Sequence, residues 1–278
     1  MALAIAPLAL AACSGDGGTG ANGTGQVAVR FGVAGGASAS KSAAEGPRLA
    51  TTGGPLVVTG ANGTLSITNI SVVVSRLKLK GQHDQACTTS QPSGENEKEA
   101  GECEFQSGPY FLTVPLDGSQ LTVTTGAIPP GTYDRVRFKV KNLDMRDDDD
   151  HEDADATDQQ AIAALFNQIR SQFPDWPAQA SMRVTGTFTP TGGTARAFTA
   201  YLKAEAKIDL PINPPLTVAD GSTTNTVAVL LDPASFFKVG SNVIDLSQFS
   251  ASHVGDFEVE AENGFHGEGH HGEGGGHD

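Results

Sequence analysis

Apolar residues alternate with polar ones in short runs along most of this chain, and Gly, Pro and Asn separate the runs. A period of two is the mark of half-buried strands. Val27, Val29, Phe31 and Val33 make a first strand. From Pro55 the signal is continuous. Leu56-Val57-Val58 and Leu65-Ser66-Ile67 flank Ala61-Asn62-Gly63, and Asn-Gly is a strong hairpin cue. Residues 70–80, 110–116 and 121–125 read as further strands. Pro129-Pro130-Gly131 is a turn that launches a strand over 133–141. There Val136, Phe138 and Val140 share one face, and Arg135, Arg137, Lys139 and Lys141 the other. Residues 182–188, 195–208 and 227–231 complete a second set of strands.

One stretch changes period. Ile162, Leu165, Phe166, Ile169 and Phe173 recur at helical spacing, Thr157 and Gln160 suit a capping box, and Pro174 ends the run. This predicts a helical insertion around 158–173 that covers a core, with Trp176 packed nearby between Pro174 and Pro177. Residues 232–238 predict one more helical turn. The order of elements predicts a mainly β fold: an antiparallel β-sandwich with one amphipathic crossing helix, not an α/β enzyme fold.

Composition divides the 278 residues into a body and two loose ends. Residues 13–54 are Gly- and Ser-rich, a tether carrying one strand; 55–262 hold the sandwich domain; 263–278 form a His/Glu/Gly tail expected to be disordered. Gly15, Gly17 and Gly20 have G-x-G-x-x-G spacing, but no strand precedes them and no helix follows, so they are not a dinucleotide loop. The net charge of −14 argues against a nucleic-acid partner, because phosphate contacts need a dense Lys/Arg surface. No run of 18 apolar residues predicts a membrane-spanning helix.

The first dozen residues bear on compartment. Residues 2–12 are apolar apart from Pro7, too short to span a bilayer and the right size for a signal-peptide core. They run into Leu10-Ala11-Ala12-Cys13, then Ser14-Gly15-Asp16-Gly17-Gly18. This resembles the lipobox of bacterial lipoproteins. The resemblance implies a signal peptide over 1–12, cleavage before Cys13 and acylation of its thiol, with palmitate as a typical chain. That family carries Lys or Arg before the apolar core, and Met1-Ala2-Leu3 does not; a start codon upstream would supply it. The rival reading is a buried N-terminal strand with a core cysteine, for which Gly-Asp-Gly-Gly-Thr-Gly is a poor continuation. Each buried methylene contributes ~0.8 kcal/mol, so one acyl chain holds marginally and two or three hold durably. Ser14, rather than Asp, after the cysteine implies sorting to the outer membrane of a Gram-negative host.

Four groups of residues are candidates for chemistry. Cys87 and Cys103 bracket a hydrophilic loop, and in an exported protein a disulfide is the natural assignment. It would contribute about 3 kcal/mol by loop closure. A reactive or metal-binding thiol pair is the rival, although no second cysteine pair supports it. Asp147, Asp149, Asp153 and Asp155 belong to an acidic run over 144–158 whose carboxylates suit a hard cation such as Ca²⁺. It is not an EF-hand, since Asp158 stands where Gly is needed and Ala164 where Glu is needed. The simpler reading is a solvated loop whose charge favours the helix N-terminus. In the tail, His266, Glu268, His270, His271, Glu273 and His277 could collect Zn²⁺, Cu²⁺ or Ni²⁺, loosely because nothing orients them; the rival is a solubilising tail. Finally, seven of 18 basic residues fall in two strands: Arg76, Lys78 and Lys80, then Arg135, Arg137, Lys139 and Lys141. As neighbours, those strands would make a positive stripe for an anionic ligand or lipopolysaccharide phosphate. Neutralisation by Asp147 to Asp153 is the preferred alternative, with modest energy.

The segments GTLSITNISVVVSRLKLKG (63–81) and LTVTTGAIPPGTYDRVRFKVKN (121–142) resemble a family of bacterial lipoproteins carrying a transthyretin-like β-sandwich domain of unknown function. FPDWPAQASMRVTGTF (173–188) and TVAVLLDPASFFKVGSNVIDLS (226–247) are similar to segments of surface proteins of the same kind. The resemblance covers about half the chain and rests on strands and turns, so it implies fold and location, not chemistry. No H-E-x-x-H, G-x-S-x-G, C-x-x-C or Walker pattern is present. The leading expectation is a lipid-anchored cell-envelope protein with a non-enzymatic binding or structural role, needing no cofactor and meeting a protein or glycan partner that the sequence does not name. The alternative is a metal-binding envelope lipoprotein, to which a slight similarity of GTYDRVRF to methanobactin-binding periplasmic proteins adds weight. An enzyme with an unrecognised site comes third.

Overall fold

A computed structural model describes residues 24–34, 54–81, 104–142, 156–204, 206–219, 224–257 and 265–270. The alternating segments do form strands: β1 (Gly25–Val33), β2 (Leu56–Gly60), β3 (Gly63–Gly81), β4 (Glu104–Ser107), β5 (Tyr110–Thr113), β6 (Gln120–Ile128) and β7 (Gly131–Val140). After helix α1 (Ala156–Gln172) come β8 (Met182–Pro190), β9 (Arg196–Ala204), β10 (Ala206–Val218) and β11 (Asn225–Leu231). A helical turn α2 (Pro233–Phe236) and four short strands follow: β12 (Lys238–Val239), β13 (Asn242–Val243), β14 (Gly255–Phe257) and β15 (Phe265–His270). The fold is mainly β with one long helix, a β-sandwich as the alternation predicts.

One layer runs β6-β1-β11-β15 and the other β10-β7-β3-β8-β9-β14, with β2, β4 and β5 on the remaining edge of β3. A single bridge, Ile212 to Gly267, joins the layers along β10 and β15. Their inner faces share one apolar core, in which Phe31 of β1 meets Phe138 of β7 edge to face at 5.4 Å. Most pairings are antiparallel; β1 with β11, β9 with β14 and the bridge of β10 with β15 are parallel.

Several boundaries differ from the sequence reading, and the one strand expected over 195–208 is two, β9 and β10. β1 is no part of a tether: Val27, Val29 and Phe31 are buried, and the strand is hydrogen-bonded to β11 on one side and β6 on the other. Its four alternating apolar residues need a core, and the sandwich supplies one. Residues 265–270, expected to be disordered, form β15, whose backbone pairs with β11 from Leu231↔Phe265 to Thr226↔His270. Backbone pairing of an otherwise open β11 edge outweighs the low strand propensity of Gly267 and Gly269.

The long strand β3 carries the phase of the fold. Leu65 and Ile67 face the core, but an irregularity between Ile67 and Asn69 shifts the phase so that Ile70, Val72 and Val74 face inward next. A second irregularity between Val74 and Arg76 shifts it again, and Leu77 and Leu79 become the core residues. Each extra residue turns every later side chain to the other face. Without the bulge at Ser75, Arg76, Lys78 and Lys80 would continue the inward row of Ile70, Val72 and Val74.

The chain leaves the sheet after Val140 and re-enters at Met182, next to Val74 and Val72 of β3 respectively. Between them α1 lies on the outer face of β3, where Leu165 and Ile169 pack with Val73, Trp176 and Tyr201. The helix begins at Ala156, so Thr157 lies within its first turn instead of capping it. Trp176 is fully buried, edge to face with Phe111 at 5.4 Å and Tyr201 at 5.6 Å, and its Nε1 donates to the Ala180 carbonyl at 3.1 Å.

Three polar contacts fix the ends. The hairpin loop between β2 and β3 is Ala61-Asn62, with Gly60 and Gly63 paired across it. Asn62 clamps a distant strand: its Nδ2 donates to the Val243 carbonyl at 2.8 Å, and the Val243 N–H donates to its Oδ1 at 2.9 Å. Ser181 Oγ donates to the Ala204 carbonyl and accepts from the Ala204 N–H, both at 2.7 Å, where β9 gives way to β10. Tyr133 donates to the Pro129 carbonyl at 2.8 Å, tying the start of β7 to the preceding turn, in the manner of the tyrosine corners of other sandwiches.

Candidate cationic face on strands β3 and β7

The two basic strands are neighbours. In the antiparallel register Arg76 stands opposite Lys139, Lys78 opposite Arg137 and Lys80 opposite Arg135. Core residues Leu77, Leu79, Val136 and Phe138 occupy the inward positions between them, so both sets of cations project outward. The sequence expected two faces for residues 135–140, and the burial pattern has them. The bulge at Ser75 is what brings the β3 cations to the same side.

Three rungs of directly opposed like charges are costly: opposition of this kind is destabilising by the same ~0.2–1 kcal/mol per pair that opposite charges contribute. Two acidic residues stand beside these rungs: Glu104 of β4 is in register with Lys80 on the other edge of β3, and Asp209 answers from β10. Asp209 of β10 pairs with Arg137 in register, and its Oδ2 accepts from Arg137 Nε at 2.7 Å and Arg135 Nη1 at 3.0 Å. These guanidinium groups are about half exposed, 52% for Arg135 and 40% for Arg137, so each ion pair is screened and modest. Asp209 Oδ1, in contrast, is buried with no hydrogen-bond partner. None of Arg76, Lys78, Lys80, Lys139 and Lys141 is without an interaction partner.

A groove of about 400 Å³ follows this face, lined by Arg76, Lys78, Lys80, Arg137, Lys139 and Asp209 among others. Inside the sandwich, a void at Phe31, Val72, Phe138 and Met182 measures about 10 Å³ and is apolar. That is the size of a single water, too small for a ligand. Of these two spaces, the outer groove is the one with room for a small molecule.

Asp209 escaped the sequence reading, although a signal existed. In Ile208-Asp209-Leu210 the acid stands alone between two core residues, at the outward phase of a strand. The other expected sites lie elsewhere. Cys13, the Cys87–Cys103 pair and Asp147, Asp149, Asp153 and Asp155 fall outside the described residues. His266, Glu268 and His270 occupy alternate positions of β15, opposite Leu230, Ala228 and Thr226; His271, Glu273 and His277 lie outside the described residues. Among the described residues no three His, Cys, Asp or Glu side chains gather as a metal site. No described helix is long and apolar enough to cross a membrane.

Compared with protein-family models, curated proteins and solved structures, the chain matches none.

Proposed function

We propose that this is a lipid-anchored cell-envelope protein, tethered through Cys13, with a non-catalytic role, and that its working surface is the cationic face of β3 and β7, which takes anionic molecules. The observation that carries the reading is the register of three like-charge rungs on an acidic chain. A sheet that served only to fold would gain by mixing signs across these rungs, as cross-strand pairs elsewhere do. A row of cations held in register on one outward face offers repeated contacts to an anion, which competes there with the groups these side chains already meet. The groove along the same residues gives the anion room.

The net charge of −14 shapes how such binding depends on salt. At very low ionic strength the whole chain repels a polyanion. Near 0.1 M the Debye length is ~10 Å, so distant carboxylates are screened while the six cations still act at contact. At higher salt the local attraction fades too. The test is retention on a dextran sulfate resin as salt is varied. Retention should peak near 0.1 M, and Lys78→Glu with Arg137→Glu should abolish it. Absence of retention at every salt concentration refutes the cationic face as a binding surface. Anchoring is tested separately by labelled palmitate, which should enter the wild-type chain and not Cys13→Ser.

A second reading has β15 behind it: a strand that fixes the spacing of His266, Glu268 and His270 orders these residues before any metal arrives. Calorimetric titration of Zn²⁺, Cu²⁺ and Ni²⁺ into the wild type and into His266→Ala/His270→Ala tests it, with Ca²⁺ as the probe for the acidic run. Binding weaker than ~100 μM, about −5.5 kcal/mol, speaks against a dedicated metal role.

A further inference from the structure

We infer that β6 is a docking edge for a second copy of this chain. Two β6 strands pair antiparallel about a two-fold axis and join the β6-β1-β11-β15 layers of two molecules into one sheet. The cationic face lies in the other layer, so the inference stands apart from the anion-binding reading.

The first observation is which edges are guarded. A strand edge offers a row of unpaired N–H and C=O groups, and folded proteins blunt it with shortness, charge, proline or a cover. Among the described residues the other edges follow this rule. β2, β4, β5 and β14 have five, four, four and three residues. The outer edge of β10 carries Lys207, Asp209 and three prolines, and the helical turn at Leu246–Gln248 packs along β9. β6 is different. It ends its layer, with β1 as its one described partner strand, and runs nine residues without a charge or a proline. Its register irregularity at Val123 leaves Thr124–Ile128 evenly paired with Gly25–Val29. Phe105 and Ser107 of β4 reach Gly126 and Thr124, at the positions opposite the core residues Val27 and Val29. Gln120, Leu121, Thr122, Thr125 and Ala127 stay exposed, and Leu121 is one of three exposed large hydrophobics among the described residues.

The second observation is charge, which selects the occupant. In a two-fold contact each group meets its own kind, so a charged edge repels itself. On a chain of net charge −14, an uncharged strand is where two copies can meet. Thr122, Thr124 and Thr125 also suit cross-strand hydroxyl pairs. Topology then limits the number of copies. At the far end of the layer β15 is bridged to β10, so no second long open edge remains and pairing closes at two. A seam ~30 Å long and ~10 Å deep buries about 600 Å² over both copies, less than the ~1,200 Å² of a stable complex. The dimer is therefore weak and reversible.

Sedimentation of the full chain from ~1 μM to ~1 mM covers the range in which weak contacts saturate. A monomer–dimer equilibrium is expected, with no larger species. Added salt should tighten it, because screening removes repulsion between two chains of −14 and leaves an uncharged seam untouched. Thr122→Lys with Thr125→Lys sets four like charges at the seam and should weaken the dimer at least ~10-fold, with the urea midpoint of the monomer unchanged. Gln168→Lys with Gln172→Lys adds the same charge at exposed positions of α1 and should leave the dimer intact. Amide exchange needs no variant, so it decides even where the β6 variant fails to fold. Alternate β6 amides, those turned away from β1, should be protected at ~1 mM and open at ~1 μM, while those of β2 and β14 should not respond to concentration. A monomer at every concentration overturns the inference. So does a dimer that a folded β6 variant leaves intact, one that forms without protecting β6, or growth beyond two copies.

Discussion

Replacing Ile169 by Ala tests whether α1 is held to the sheet by its apolar face. Ile169 is fully buried in the cluster with Val73, Trp176 and Tyr201. The change removes three carbon atoms, worth ~2.4 kcal/mol at ~0.8 kcal/mol per buried methylene. A cavity left under the helix adds to this, and buried Ile→Ala changes cost ~2–5 kcal/mol in all. We expect a loss of about 3 kcal/mol, a large part of the ~5–15 kcal/mol that holds a domain together. The assay comes with the molecule: Trp176 is the sole tryptophan and lies in the same cluster, so its emission reports directly on this contact. In urea, with a slope of ~3 kcal/mol/M for a chain of this size, the midpoint should fall by about 1 M at unchanged slope. Arg170→Ala is the matched control one residue along. Arg170 is exposed, with its guanidinium 5.2 Å from the Phe166 ring, and its loss should cost no more than ~1 kcal/mol. An Ile169→Ala penalty below ~1 kcal/mol would refute the packing of this helix against the sheet.

Other outcomes follow from single contacts. Gly186→Ala would set a Cβ 2.1 Å from the Ser66 carbonyl oxygen, so β3 and β8 must part locally; we expect at least ~1–3 kcal/mol of destabilisation in the same urea assay. Asn62→Ala removes both hydrogen bonds to Val243, and thermal melts should show a loss of about 1–3 kcal/mol. Burial pushes the Tyr133 hydroxyl up to about 12 from an ordinary ~10. The folded chain thus favours the neutral phenol, and its contribution, intact below pH ~10, is lost as pH rises through 12. Tyr133→Phe should flatten part of that decline in urea midpoints measured across the same window.

Legibility in the sequence followed the period of the pattern. Residues 133–140 alternate without interruption, and Val136, Phe138 and Val140 are core residues as read. The segment 70–80 was harder, because bulges leave no mark in the amino-acid pattern except a skipped beat. Val73-Val74-Ser75-Arg76 reads as one strand, yet the face changes within it. The alternation predicts one strand over 195–208, where the structure has β9 and the start of β10; nothing signals the continuation past Ile208, because Pro211, Pro214 and Pro215 lack the N–H that a ladder uses. The strand goes on to Val218 past them: Pro211 still stands opposite Arg135, and the register then jumps to Leu216, leaving Pro214 and Pro215 out of the pairing. β15 was missed since its Gly and His residues carry no strand signal, and only a long-range partner orders them. At the cationic face the two rows of basic residues were plain from sequence. Their register depended on the Ser75 bulge, and Asp209 comes from a strand some 70 residues further on, so the groove itself was not legible.

The placement of β1 has a consequence for biogenesis. A chain that emerges N-terminus first exposes Val27, Val29 and Phe31 long before their neighbours exist. β6 arrives a hundred residues later, but the parallel partner on the other side, β11, begins only at Asn225. The layer β6-β1-β11-β15 cannot assemble until β11 has been made, some 200 residues after β1, and such distant pairings form slowly. Under the proposed export of this chain, the delay would be an asset, because the topology would keep the nascent chain loose during transport.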